Sequence, residues 1–214
     1  SGLTENIALN LTAGTYFIRV YHAGTGSGTT PATGATAITS AGNFYIGVYS
    51  TPLPPANDDI CNATSLTVST TTCVNTNGTT VAATASAQTV CGGTADDDVW
   101  YSFTATGTSA TVAVASGAGF NAHLQVLSSS DNTCNGTLTS LGCVNNTSTA
   151  GVEFYTATGL TPGNVYFVRV YHTASGSGTG SFRIAVLGTG PIWTGATSTD
   201  WLNTANWCAG LQPT

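Results

Sequence analysis

Lysine and methionine are missing from this chain of 214 residues, and its only cations besides three histidines are Arg19, Arg169 and Arg183. Charged residues make up 6%, where an ordinary soluble domain carries about a quarter. With a net charge of −6 and almost no cations, the chain is a poor partner for nucleic acid or for an anionic membrane surface. Its apolar runs are strand-sized, too short for a membrane-spanning helix. Ser1-Gly-Leu-Thr lacks the basic and apolar regions of a secretory leader, so the true N-terminus is expected upstream. No Cys-x-x-Cys pair or Cys/His spacing suggests zinc. The six cysteines therefore read as disulfides of an extracellular or cell-surface protein.

What is present is repetition. Tyr16-Phe-Ile-Arg-Val-Tyr-His22 returns 150 residues later as Tyr166-Phe-Val-Arg-Val-Tyr-His172, each copy followed by Gly-Ser-Gly. A period this long means a duplicated domain, since solenoid repeats run roughly 20–50 residues. The organisation expected is an array: residues 1–50 supply the last strands of one β-sandwich, 51–56 a proline-rich linker, 57–188 a complete sandwich, and 189–214 the opening of a Trp-rich module. In the first of these, Tyr16, Ile18, Val20, Phe44, Ile46 and Val48 form an apolar face. A neighbouring repeat or an adjacent identical subunit is expected to cover it, the latter by strand complementation in a filament.

Period-two segments bounded by Gly, Asn, Ser and Thr predict an all-β fold with strands at 65–69, 80–84, 99–105, 110–115, 124–128, 152–156, 165–172 and 182–187. An antiparallel β-sandwich of jelly-roll or Greek-key type follows. In the Val165 strand both faces carry bulk, which places it centrally in its sheet. Asn75-Thr-Asn-Gly78 reads as a hairpin turn. The 65–69 and 80–84 strands would pair across it and bring Cys61 to Cys91, with Cys73 as an alternative partner for either. Cys134 and Cys143 bracket a short loop and form the second expected bridge. Cys208 belongs to the truncated end, its partner expected outside the chain.

Three segments carry a resemblance: Asn57-Asp-Asp-Ile-Cys-Asn-Ala63, Cys91-Gly-Gly-Thr-Ala-Asp-Asp-Asp-Val-Trp-Tyr-Ser-Phe103 and Phe120-Asn-Ala-His-Leu-Gln-Val126. They resemble repeat domains of large secreted surface proteins and adhesins of Bacteroidota, exported by the type IX secretion system. They are also similar to the pre-peptidase C-terminal β-sandwich. The Trp193–Trp207 stretch resembles a WTG…W…NW opening common in the same proteins. The resemblance implies a non-catalytic module.

Asp58, Asp59, Asp96, Asp97 and Asp98 hold five of the nine acids. Three adjacent carboxylates with no cation nearby in sequence suggest a hard-cation site, calcium by preference; the alternative is a pair of solvated turns. Arg169 is expected to meet Glu153 or stack on Tyr171. His22 and His172 recur in both copies and read as structural. No Gly-x-Ser-x-Gly elbow accompanies His123, and Glu153 is the only glutamate of the full repeat, which argues against triad or glycosidase chemistry. The function expected is a structural or adhesive spacer, stalk or filament body, with polysaccharide or other surface ligands. The alternative is an accessory or carbohydrate-binding module of a secreted hydrolase, using Trp100, Tyr101 or Tyr155 as an aromatic platform.

Overall fold

The computed structural model describes residues 7–9, 11–12, 14–20, 45–48, 52–174, 179–188 and 190–213. The chain forms two compact units, residues 1–49 and 50–214. In the first unit the described residues carry no strand. Tyr16 donates its hydroxyl to the Thr12 carbonyl at 2.7 Å, and Ile18, Val20, Ile46 and Val48 are exposed. Tyr21, His22 and Phe44 lie outside the described residues, so the match between the two copies of the repeated strand lies outside them too.

The second unit is all-β, with ten strands among its described residues. They are β1 (Thr64–Ser65), β2 (Val68–Ser69), β3 (Thr76–Thr79), β4 (Val99–Thr104), β5 (Ser109–Ser116), β6 (Ala122–Ser129), β7 (Leu138–Val144), β8 (Val152–Thr158), β9 (Val165–His172) and β10 (Ser181–Leu187). One sheet has the order β1-β4-β9-β6-β7; the other runs β2-β10-β5-β8, with β3 also pairing with β10. The strand alternation read from the sequence builds the core. Val99, Tyr101 and Phe103 face inward with Tyr166, Val168 and Val170, and meet Val112, Val114, Phe182, Ile184 and Val186 of the other sheet. Burying each large side chain contributes roughly 1.5–3 kcal/mol. As expected, β9 is central, between β4 and β6.

The first strands depart from expectation. Both sheets are mixed, because β1 lies parallel to β4 and β2 parallel to β10. Residues 64–69 thus cross from the edge of one sheet to the edge of the other, and a strand entering this way has no hairpin to reverse it. Asn75–Gly78 is not a turn. Residues 76–79 form β3, antiparallel to β10, and residues 80–84 carry no strand. Gly78 serves packing: a Cβ there would stand 2.2 Å from the Tyr101 hydroxyl and 2.5 Å from the Phe182 ring. Burial of that hydroxyl pushes the Tyr101 pKa up to about 12. Strand β7 escaped sequence reading because it is a half-exposed edge rich in Thr, Ser and Gly, where alternation is weak.

Both outer faces are covered as well. Leu127 and Phe167 on the first sheet pack with Trp100, and Ile60 and Cys134 close over them. On the second sheet Ala113, Ala185 and Leu187 lie under Ile192, Cys208, Ala209 and Leu211. The described residues of 189–214, expected to open a separate module, lie in the same compact unit and roof its second sheet.

Substituting Gly78→Ala should lower stability by about 1–3 kcal/mol through overpacking, read as a reduced urea midpoint with an unchanged slope. A wild-type midpoint would mean that Tyr101 and Phe182 do not close on β3.

Candidate functional site

The expected disulfide pairing is corrected throughout. The bridges are Cys61–Cys134, Cys73–Cys208 and Cys91–Cys143, with sequence separations of 73, 135 and 52. Cys61 cannot meet Cys91 because the hairpin that would join them does not exist. Cys134 cannot meet Cys143 because most of the extended strand β7 lies between them, at about 3.4 Å per residue. Each bridge instead ties a covering segment to a sheet or a hairpin. Cys61 joins the short 3-10 turn Ile60–Asn62 to the β6–β7 loop. Cys91 joins the 84–93 loop to β7. Cys208 joins the C-terminal roof to the segment after β2.

The acidic clusters lie over the first sheet, and most of their oxygens hold protein donors. Asp58 accepts the Thr84 N–H at 2.6 Å and its hydroxyl at 2.7 Å. Asp59 caps the Ile60–Asn62 turn by accepting the Cys61 N–H at 2.7 Å. Asp98 forms a fully buried ion pair with Arg169 Nε and also accepts the Ser86 N–H at 2.9 Å. Arg169 thus meets Asp98, not Glu153. Glu153 lies on β8 in the other sheet and is consumed by the Asn146 and Thr147 N–H groups at 2.7 and 2.6 Å. The guanidinium donates further to the Gln88 carbonyl at 3.2 Å and the Thr89 carbonyl at 3.4 Å. It lies 5.5 Å from the centre of the Trp100 ring and 5.1 Å from that of Tyr171, so the stacking expected on Tyr171 is present.

Asp97 is the exception. Its Oδ1 accepts the His172 N–H at 3.1 Å, while its Oδ2 is buried with no hydrogen-bond partner. Desolvation raises its pKa above the ordinary 3.8, against the opposing pull of the His172 N–H and the nearby Thr80 hydroxyl. Among the described residues no three His, Cys, Asp or Glu side chains gather as a metal site.

His123 stacks flat on Tyr171, ring centres 5.0 Å apart, and its Nδ1 lies 3.3 Å from Asn145 Nδ2. Burial lowers its pKa from 6.5, partly offset by the Glu153 charge. His172 packs at a tilt against Phe120, ring centres 5.6 Å apart, with its Nδ1 accepting the Ala174 N–H at 3.0 Å. Both histidines are built into packing.

The aromatic platform named from sequence is also corrected. Trp100 and Tyr101 are buried, and Tyr155 is half-buried with its hydroxyl given to the Leu141 carbonyl at 2.5 Å. The exposed tryptophans are in the C-terminal roof. Trp193 and Trp201 stack at 5.3 Å, and Trp207 meets both edge-on at 5.1 and 4.3 Å. Asn206 holds this turn together. Its Oδ1 accepts the Thr197 and Ser198 N–H groups at 2.8 and 2.9 Å, and its Nδ2 donates to the Asp200 carbonyl at 2.9 Å. The clustering of three tryptophans was visible in sequence; their exposure was not.

The profile of a family described as galactose binding domain-like, and associated with T9SS, matches residues 56–184. Among solved structures the chain is similar to the pre-peptidase C-terminal domain of collagenase from Bacillus anthracis, at 13% identity and a TM-score of 0.36, over 58% of this chain and 93% of that one. No curated protein matches.

Replacing Asp97 with Asn keeps the acceptor for the His172 N–H and removes the charge from a buried carboxylate whose Oδ2 has no hydrogen-bond partner. The raised pKa means that the unfolded chain ionises first, so the native state loses stability as pH rises from 3.8 through the folded value. Asp97→Asn should therefore be more stable than wild type at neutral pH in chelator, by about 1 kcal/mol, with the gap closing below pH 3.8. Calcium arms of the same melts test a cation at this carboxylate: bound calcium would raise the wild-type melting temperature and leave the variant's unchanged.

Proposed function

The chain belongs to the galactose binding domain-like family associated with T9SS, and from that premise we propose that it is a non-catalytic, load-bearing spacer of a long secreted protein. Family membership and three disulfides fit export to an oxidising exterior. The spacer role, display at the cell surface and adhesion rest on how the chain is closed by its bridges.

The observation that carries the reading is the Cys73–Cys208 bridge. Tension entering the second unit along Pro52–Pro55 and leaving beyond Cys208 reaches this bond after a short run of chain. From there it passes directly from Cys73 to Cys208. The ring of 135 residues, which contains eight of the ten strands, is removed from the covalent load path. At full extension that ring amounts to about 460 Å of chain. An accessory domain that needed only to fold would gain as much stability from a smaller loop, because closure entropy grows slowly with length. A spacer gains something else: a length that stays nearly constant under pull. β2, on the entering run of chain, is a parallel neighbour of β10, so pulling β2 along its own axis shears that ladder instead of peeling it.

Neighbouring repeats or adjacent identical subunits are the proposed partners of the first unit, where Ile18, Val20, Ile46 and Val48 are exposed. A calcium ion near Asp96–Asp98 remains a proposal resting on the bare Asp97 Oδ2.

Single-molecule stretching between handles at the two ends of residues 50–214 tests the load path. The oxidised protein should lengthen by roughly 100 Å or less beyond its folded span. Full reduction should add about 460 Å. The Cys73→Ser/Cys208→Ser variant should add only about 210 Å, because Cys61–Cys134 still short-circuits part of the chain. Equal lengthening in oxidised and reduced protein would place the sandwich in the load path and remove the basis for the spacer reading.

A further inference from the structure

We propose that the open concavity beside the stacked Trp193 and Trp201 in the C-terminal roof binds a neutral polysaccharide. The concavity is shallow and open, about 550 Å³, and is lined by Trp193, Gly195, Ala196, Thr197, Ser198, Thr199 and Trp201. It lies outside residues 56–184, which match the family, and independently of the load path.

Its chemistry is that of a sugar site. Trp193 and Trp201 are 38% and 57% exposed, a large commitment of apolar ring surface in a chain whose other two tryptophans are buried. Surface of this kind at a fixed, rigid place marks an interaction site. The rings are not free to collapse inward. Trp207 is buried beneath them and donates its indole N–H to the Trp201 carbonyl at 3.0 Å. Asn206 fixes the turn that forms the opposite wall. The bridge to Cys73 anchors the whole segment. The platform is therefore pre-ordered, which lowers the entropic cost of binding.

The polar groups around it are neutral. Trp207 spends its indole N–H internally, whereas those of Trp193 and Trp201 have no hydrogen-bond partner among the described residues, and neither do the Thr197 and Thr199 hydroxyls. No lining side chain is charged. The nearest acid, Asp200, turns its Oδ1 to the Leu202 N–H at 3.0 Å. Flat aromatic faces bordered by uncharged donors and hydroxyls suit a pyranose ring, which presents a face of C–H groups and a rim of hydroxyls. An anionic polymer would find no cation among the lining residues. An acyl chain would leave the polar rim unsatisfied. Each site would be weak on its own, and repetition along a secreted array would multiply it.

The test is affinity electrophoresis of the oxidised full chain through gels containing laminarin, galactan, xylan or hydroxyethyl cellulose, with alginate as the acidic control. At least one neutral polymer should retard the protein and alginate should not. Trp201→Ala should weaken that retardation at least tenfold. Phe154→Ala, which removes an exposed aromatic ring from β8 (44% exposed), should leave it unchanged. In wild-type protein the retarding polymer should also shield tryptophan fluorescence from acrylamide, which reads the same contact without a substitution. Four results would overturn the proposal: no retardation by any neutral polymer, retardation by alginate alone, equal retardation of wild type and Trp201→Ala, or acrylamide shielding that follows protein concentration without polymer and so reports a second copy in the concavity. None of them bears on the stretching experiment, so the spacer reading stands or falls separately.

Discussion

A guanidinium with no access to water is the constraint around which the first sheet is organised. Arg169 is fully buried, and an unpaired charge there would cost several kcal/mol. Its partners come from three directions. Asp98, just before β4, supplies the opposite charge, Gln88 and Thr89 supply carbonyls, and Trp100 and Tyr171 supply ring faces. Satisfying Arg169 therefore fixes where the 84–93 loop lies over the sheet. That loop carries Cys91, whose bridge to Cys143 then pins it to the edge strand β7. One buried charge thus links the central strand, the covering loop and the sheet edge.

A similar economy governs the carboxylates. Asp58, Asp59 and Asp98 each accept backbone N–H groups where loops cross the outer face of the first sheet, and Asn57 clamps Trp100 from both sides of its peptide, accepting its N–H and donating Nδ2 to its carbonyl, each at 2.8 Å. In a chain with so few ionisable groups, those that exist are spent on tying irregular segments to the sheets. The same scarcity leaves the surface to Thr, Ser, Asn and Gly.

The three bridges have a common logic. Each attaches a segment that lies outside the two sheets, and none staples adjacent strands. The two-layer sandwich holds itself together by apolar burial, and its covers combine smaller apolar clusters on the outer faces with covalent closure. The widest closure, Cys73–Cys208, encloses β3 to β10.

The sequence alone determined the all-β class, the strands from Val99 onward other than β7, and the central place of β9, because those depend on period-two patterning that is local to each strand. It also located the segments that carry the family likeness. It did not determine the pairing of the cysteines, the partner of Arg169, the role of Gly78 or the exposure of Trp201. Those depend on which segments meet across tens of residues, and local pattern is silent about that. Asn75–Gly78 shows the limit clearly: its residues favour a turn, but the edge of β10 offered a ladder, and the ladder prevailed. Cys134 and Cys143 show it again, since nearness along the chain became separation in space once β7 extended between them. Local residue chemistry chose the strands; only the stacking of covers on sheets decided which side chains would meet.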